Sequence, residues 1–215
     1  TRGSGVVAKL GTDGQVFTST GAGLSQGFEA AAGGGDYVKI ASTDLSGDAT
    51  IVDLQGCFTA TYDSYVLRGT GLTLGAANYP RIAFLDSSNN VMTGSSYYTK
   101  QDQIYGTWSG NPPSLSGVAQ NETGGFRMIN TWDWNNADEP SMFEMHFWNP
   151  LSTSFKPAVH FWCTWNQTSP SSEQAGLAHG IGLFDDTTAH HGIRMTVSGD
   201  DFSNHGNLAI YGIKQ

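Results

Sequence analysis

The residues best able to do chemistry crowd the last quarter of the chain. His179, His190, His191 and His205 lie near Asp185, Asp186, Asp200 and Asp201. Neutral imidazole and carboxylate are ligands for zinc and similar ions. Neighbouring residues on a strand point to opposite faces, so His190 and His191 cannot both reach one ion. The expectation is that these histidines are solvated turn residues and that no metal or cofactor is held. Asp185 and Asp186, with Glu139 and Glu144, supply the carboxylates a glycosidase would need. Such a pair must flank one bond at about 5–10 Å, which spacing along the chain does not arrange. Asp in a turn bonds its own backbone, so Asp185 and Asp186 are expected as strand-end caps. No nucleophile elbow, phosphate loop or dinucleotide fingerprint occurs, and no catalytic residue is expected.

One segment carries binding chemistry instead. Trp132-Asp133-Trp134-Asn135-Asn136-Ala137-Asp138 interleaves two indoles with amides and carboxylates. Exposed indoles stack on sugar faces, and Asp or Asn beside them bond hydroxyls. Trp132, Asp133, Trp134, Asn135, Asn136 and Asp138 are therefore the expected ligand-binding residues. The competing reading is an indole packed under the loop as a core plug.

The elements that must position these groups are strands. No stretch carries a helical stripe, and period-two alternation recurs from Asp36 onward. Strands are expected at Ala49 to Phe58, Ser64 to Leu74, Arg81 to Leu85, Val91 to Thr99 and Gln103 to Trp108. Further strands are expected at Gly125 to Thr131, Met142 to Trp148, Ala158 to Trp165 and Leu177 to Phe184. In this phase Phe143, Met145 and Phe147, and likewise Val159, Phe161 and Cys163, face the core. The closing stretch reads as a β-hairpin. Ile193, Met195 and Val197 share one face of its first strand, Leu208 and Ile210 one face of its second, and a Gly/Asp/Asn segment turns between them. A strand at a chain end is expected to be locked into a sheet. About ten to twelve short strands with turn signals between them give the fold class: an all-β, jelly-roll-like β-sandwich.

Residues 1–35 differ. They are rich in Gly, Ser, Thr and Ala, with Gln15 to Thr18 as the one strand candidate, and they end in Gly33-Gly34-Gly35. So few apolar side chains cannot form a core. This part is expected to be an extended shaft or linker ahead of a β-sandwich domain over 36–215, either disordered or ordered by winding around symmetry mates.

Composition narrows the function. The 215 residues include 28 Gly, and only 13% are charged. A net charge of −9 argues against nucleic acid as a partner, since phosphate binding needs a basic face. No run approaches the roughly 18 apolar residues of a membrane helix, so membrane insertion is not expected. Cys57 and Cys163 lie in apolar runs and are expected as buried free thiols.

Several ordered segments resemble one family. The closing strand Leu208-Ala209-Ile210-Tyr211-Gly212-Ile213-Lys214, after a polar turn with Gly, is similar to the C-termini of fibre and spike proteins of tailed bacteriophages. Lys9-Leu10-Gly11-Thr12-Asp13-Gly14-Gln15-Val16-Phe17-Thr18-Ser19-Thr20-Gly21-Ala22-Gly23 resembles the segment before the distal domain of such fibres. Tyr62-Asp63-Ser64-Tyr65-Val66-Leu67-Arg68-Gly69-Thr70-Gly71-Leu72 and Trp148-Asn149-Pro150 resemble pieces of that domain. The resemblance, closest to marine or cyanophage types, implies a non-enzymatic virion protein made in the bacterial host cytoplasm. It implies a homotrimer, contacts with other virion tail proteins, and adsorption to a host surface glycan or protein. A start at Thr1 rather than Met fits a piece of a longer fibre and fits simple processing as well. Two alternatives stay open: a head fibre, decoration or tail adaptor protein binding only other virion subunits, and a polysaccharide-degrading enzyme.

Overall fold

The computed structural model describes residues 15–18, 27–30, 36–45, 48–74, 79–94, 96–107, 114–129, 141–169, 172–197, 202–203 and 206–214. Among them there is no helix. The chain divides into two compact units, Thr1–Tyr37 and Val38–Gln215. The first holds β1 (Gln15–Thr18) and β2 (Gly27–Ala30), paired antiparallel from Gln15↔Ala30 to Thr18↔Gly27. The strand at Gln15 was expected. Its partner was not, because Gly27-Phe28-Glu29-Ala30 has too little alternation to mark a strand.

The remaining strands are β3 (Tyr37–Asp44), β4 (Asp48–Ala49), β5 (Ile51–Leu54), β6 (Ser64–Leu72), β7 (Pro80–Leu85), β8 (Tyr97–Thr107) and β9 (Ser114–Glu122). They continue with β10 (Phe126–Arg127), β11 (Ser141–Trp148), β12 (Ala158–Ser169), β13 (Ser172–Phe184), β14 (Gly192–Val197), β15 (Phe202–Ser203) and β16 (Asn207–Ile213). They form an eight-stranded sheet, β3-β16-β6-β11-β12-β13-β8-β9, a four-stranded sheet, β10-β7-β14-β5, and a small pair, β15-β4.

This order is a jelly roll with two insertions. Without β8–β9 and β12–β13, the sheets become β3-β16-β6-β11 and β5-β14-β7-β10. Along the chain, β3, β6, β11 and β16 fall in one sheet and β5, β7, β10 and β14 in the other. That is the double Greek key of a jelly roll. The hairpin β8–β9 enters between β7 and β10, and β12–β13 between β11 and β14. They meet edge to edge, with β13 beside β8, and widen one sheet by four strands.

The closing hairpin is a correction. β14 pairs with β5 and β7 in the small sheet, and β16 pairs with β6 in the large one. Alternation reports which face of a strand is buried and carries no information about its neighbour. The burial itself agrees: Ile193, Met195, Leu208 and Ile210 are fully buried. β16 lies between β3 and β6, so the terminal strand is held on both sides.

The core lies between the sheets. Phe143, Met145, Phe147, Val159, Phe161 and Cys163 all face it, as expected from their spacing. Phe84 of the small sheet meets Phe147 and Phe184 of the large one, with ring centroids 5.9 and 5.6 Å apart. Each such ring buried contributes on the order of 2–3 kcal/mol in transfer free energy. Where a tyrosine enters the core its hydroxyl is satisfied: Tyr97 Oη accepts from the Phe84 amide at 3.0 Å and donates to the Met92 carbonyl at 2.9 Å. Cys57 and Cys163 are free and buried, and burial pushes both thiols up to about 12. The turn after β7 follows from its residues. Asp86 Oδ1 accepts the Ser88 and Asn90 amides at 2.8 Å each, and Asn89 takes a left-handed φ of 65°.

Candidate functional site: the outer face of the wide sheet

β13 inverts the usual sandwich pattern. Its core-facing positions are Gly176, Ala178, Gly180 and Gly182, and its outward positions are Leu177, His179, Ile181 and Leu183. The small inner residues make room for large rings. A Cβ on Gly176 would stand 2.1 Å from Trp165, and one on Gly180 2.5 Å from Phe161. The large outer residues have no such packing reason. Leu177, Ile181 and Leu183 are 41%, 58% and 39% exposed.

Antiparallel register extends this face over five strands. Trp148, Ala158, Leu183 and Tyr98 form one cross-strand row. His146, His160, Ile181, Lys100 and Ala119 form the next, and Glu144, Trp162, His179, Asp102 and Gly117 the third. The first two rows enclose an apolar groove of about 580 Å³ lined by Trp148, Tyr98, Ala158, His160, Ile181 and Leu183. Beside it a hollow of about 480 Å³ is lined by Lys100, Asp102, Gly117, His179 and Ile181. His160 belongs to the groove, His179 to the hollow, and the two rings meet at the divide.

The polar groups on this face are tied to each other. Arg68 Nε donates to Glu144 Oε2 at 2.7 Å, and His146 Nε2 lies 2.9 Å from Glu144 Oε1. Burial alone would raise the Glu144 carboxyl, but hydrogen bonds from His146 and Arg68 outweigh it and hold the group below the usual carboxylate range. His146 stacks near Trp148, ring centroids 6.0 Å apart. His160 Nε2 is 2.6 Å from His179 Nε2. Partial burial, then the neighbouring His179 and His146, hold the His160 imidazole below its ordinary range.

The expected receptor residues Trp132, Asp133, Trp134, Asn135, Asn136 and Asp138 lie outside the described residues, in the connection from β10 to β11. The histidine cluster dissolves. His179 sits mid-strand on the outer face. His190 is fully buried and stacked on Phe84 at 4.5 Å, so it is no solvated turn residue. The connection after β13 folds back onto the core, where the Pro150 carbonyl accepts the His190 amide and the Leu85 carbonyl accepts that of His191. Burial lowers the His190 imidazole to about 4. His205 lies outside the described residues. Asp186 Oδ1 accepts the Thr188 amide at 2.7 Å and Asp185 pairs with Lys156, while Glu139, Asp200 and Asp201 lie outside the described residues. Among the described residues no group of three or more His, Cys, Asp or Glu is placed to hold a metal ion.

Sequence reasoning passed over the groove. Its signal was available in Gly176-Leu177-Ala178-His179-Gly180-Ile181-Gly182-Leu183, where small and large residues alternate strictly. Comparison with protein-family models, with curated proteins and with solved structures gives no match.

Proposed function

We propose that this chain is the distal, host-attachment domain of a tailed-phage fibre or spike, a non-enzymatic virion protein that acts as a homotrimer. The observation that carries this reading is the outward placement of the large side chains of β13. A monomeric sandwich gains nothing by exposing Leu177, Ile181 and Leu183 beside Trp148 and Tyr98, and contiguous apolar surface of this kind marks a binding face. The groove joins an indole and a phenol ring to apolar side chains, with Lys100 and His160 as polar groups. That is the chemistry of a site for sugar rings or an apolar protein ridge. The ordered resemblance to phage fibre segments supplies the biological setting. The segment Trp132 to Asp138 is the second part of the proposal, because its indoles and amides supply the same sugar-binding chemistry.

The test is binding of purified, fluorescently labelled protein to bacterial cells. Wild type saturates the surface of susceptible cells. Trp148→Ala and Leu183→Asp, on an exposed face, fold normally and lose binding. Normal cell binding by both variants contradicts the assignment. Binding only to purified virion subunits supports the head-fibre or adaptor alternative.

A further inference from the structure

We propose that His160 and His179 form a two-imidazole site for a divalent transition ion of the copper, nickel or zinc class, on the divide between the groove and the hollow. The observation is the 2.6 Å approach of two Nε2 atoms on adjacent strands. β12 and β13 pair without a break from Ala158↔Leu183 to Ser169↔Ser172, so the diagonal of His160 to His179 is set by twelve consecutive pairs. The rings meet at 73° with their centroids 4.7 Å apart, so the two Nε2 atoms face each other across the divide. Two ligand nitrogens at about 2.0 Å from an ion, at a right angle, are separated by about 2.8 Å. The pair opens to that span by a small ring rotation, which partly exposed side chains make readily.

Charges of both signs surround the pair. Ligation takes neutral imidazole. Lys100 faces the hollow from β8. Asp102, opposite His179 in register, has its carboxylate against Gly117, where a Cβ would lie 3.4 Å from Oδ1. Glu144 is held by Arg68 and His146. Neither carboxylate is a ligand. The ion therefore takes two side chains and keeps its remaining positions open toward the groove and solvent, where water or an oxygen of a bound molecule completes the shell. Paired nitrogen donors at right angles with oxygen elsewhere favour the tetragonal geometry of Cu²⁺, which also stands highest in the affinity order of these ions.

The experiment is calorimetric titration of chelator-treated, dialysed protein with CuCl₂, NiCl₂, ZnCl₂ and MgCl₂ at neutral pH, with electron paramagnetic resonance of the copper form. The expected result is one site per chain, tightest for Cu²⁺ and silent to Mg²⁺, with a two-nitrogen equatorial signature. His160→Gln and His179→Gln each weaken it by at least about tenfold, because losing a ligand costs no less than losing a residue that supports one. His191→Gln leaves it intact. Circular dichroism confirms that all variants are folded. Unchanged affinity in His160→Gln and His179→Gln overturns the proposal by putting the ion elsewhere. Absence of binding overturns it too, and leaves the pair as an imidazole–imidazole hydrogen bond only.

Discussion

The indole of Trp165 occupies the space in which a side chain of Gly176 would stand. A Cβ there would lie 2.1 Å from Cε2 and 2.2 Å from Cζ2 of a ring that is fully buried. β12 and β13 are therefore matched large to small across the core face, and the apolar bulk of β13 is left on the outside. Gly176→Ala is expected to destabilise the domain by about 1–3 kcal/mol, the usual cost of overpacking. Gly94→Ala, which meets nothing within 4 Å, is expected to stay within about 0.5 kcal/mol. Urea denaturation of both variants checks this. A neutral Gly176→Ala would mean that Trp165 sits elsewhere.

Phe161 stands over Gly180 in the same way and is fully buried. Phe161→Ala is expected to cost about 3–5 kcal/mol. A loss below about 1 kcal/mol in equilibrium unfolding would put this strand in the opposite phase.

Arg194 of β14 donates from Nε and an Nη to the two carboxylate oxygens of Asp53 on β5, both at 2.7 Å. The pair is bidentate and only partly exposed, so Asp53→Asn is expected to cost about 1–3 kcal/mol. Thermal unfolding in low and high salt checks it. An unchanged midpoint in both would show that the pair contributes nothing.

His190 ties stability to pH. Its imidazole is lowered to about 4 by burial, while in the unfolded chain it titrates near the ordinary histidine value of 6.5. The unfolded state then binds the proton more readily. The contribution of this group is full above pH 6.5 and is lost as pH falls from 6.5 toward 4, by about 3 kcal/mol in all. His190→Phe removes that part of the slope. Denaturant unfolding at steps between pH 7.5 and 4 measures it, and an equal slope in the variant would contradict the account.

The core faces of the strands were readable from spacing. Phe143, Met145 and Phe147, and Val159, Phe161 and Cys163, fall inward because period two leaves one choice of buried face. The sandwich class followed from the same alternation. Strand partners were not readable, since β14 and β16 each pair with strands far away in the chain, and a turn-rich link between them looks the same whether it closes a hairpin or crosses between sheets. The groove was missed for a related reason. Reading Leu177, Ile181 and Leu183 as core residues is natural until Trp165 and Phe161 are seen to need the glycines between them. The contact of His160 with His179 needs the register of β12 on β13. The burial of His190 needs a fold that brings Phe84 and Pro150 to it.

The central claim is that the outer face of the wide sheet attaches the particle to its host. The most direct measurement is the adsorption rate of phage whose fibres carry Trp148→Ala in this chain, with assembly of the fibre checked on intact particles. The account predicts normal particles that adsorb at least about tenfold more slowly, since truncating a central aromatic anchor costs 2 kcal/mol or more. Normal particles that adsorb at the wild-type rate would contradict it.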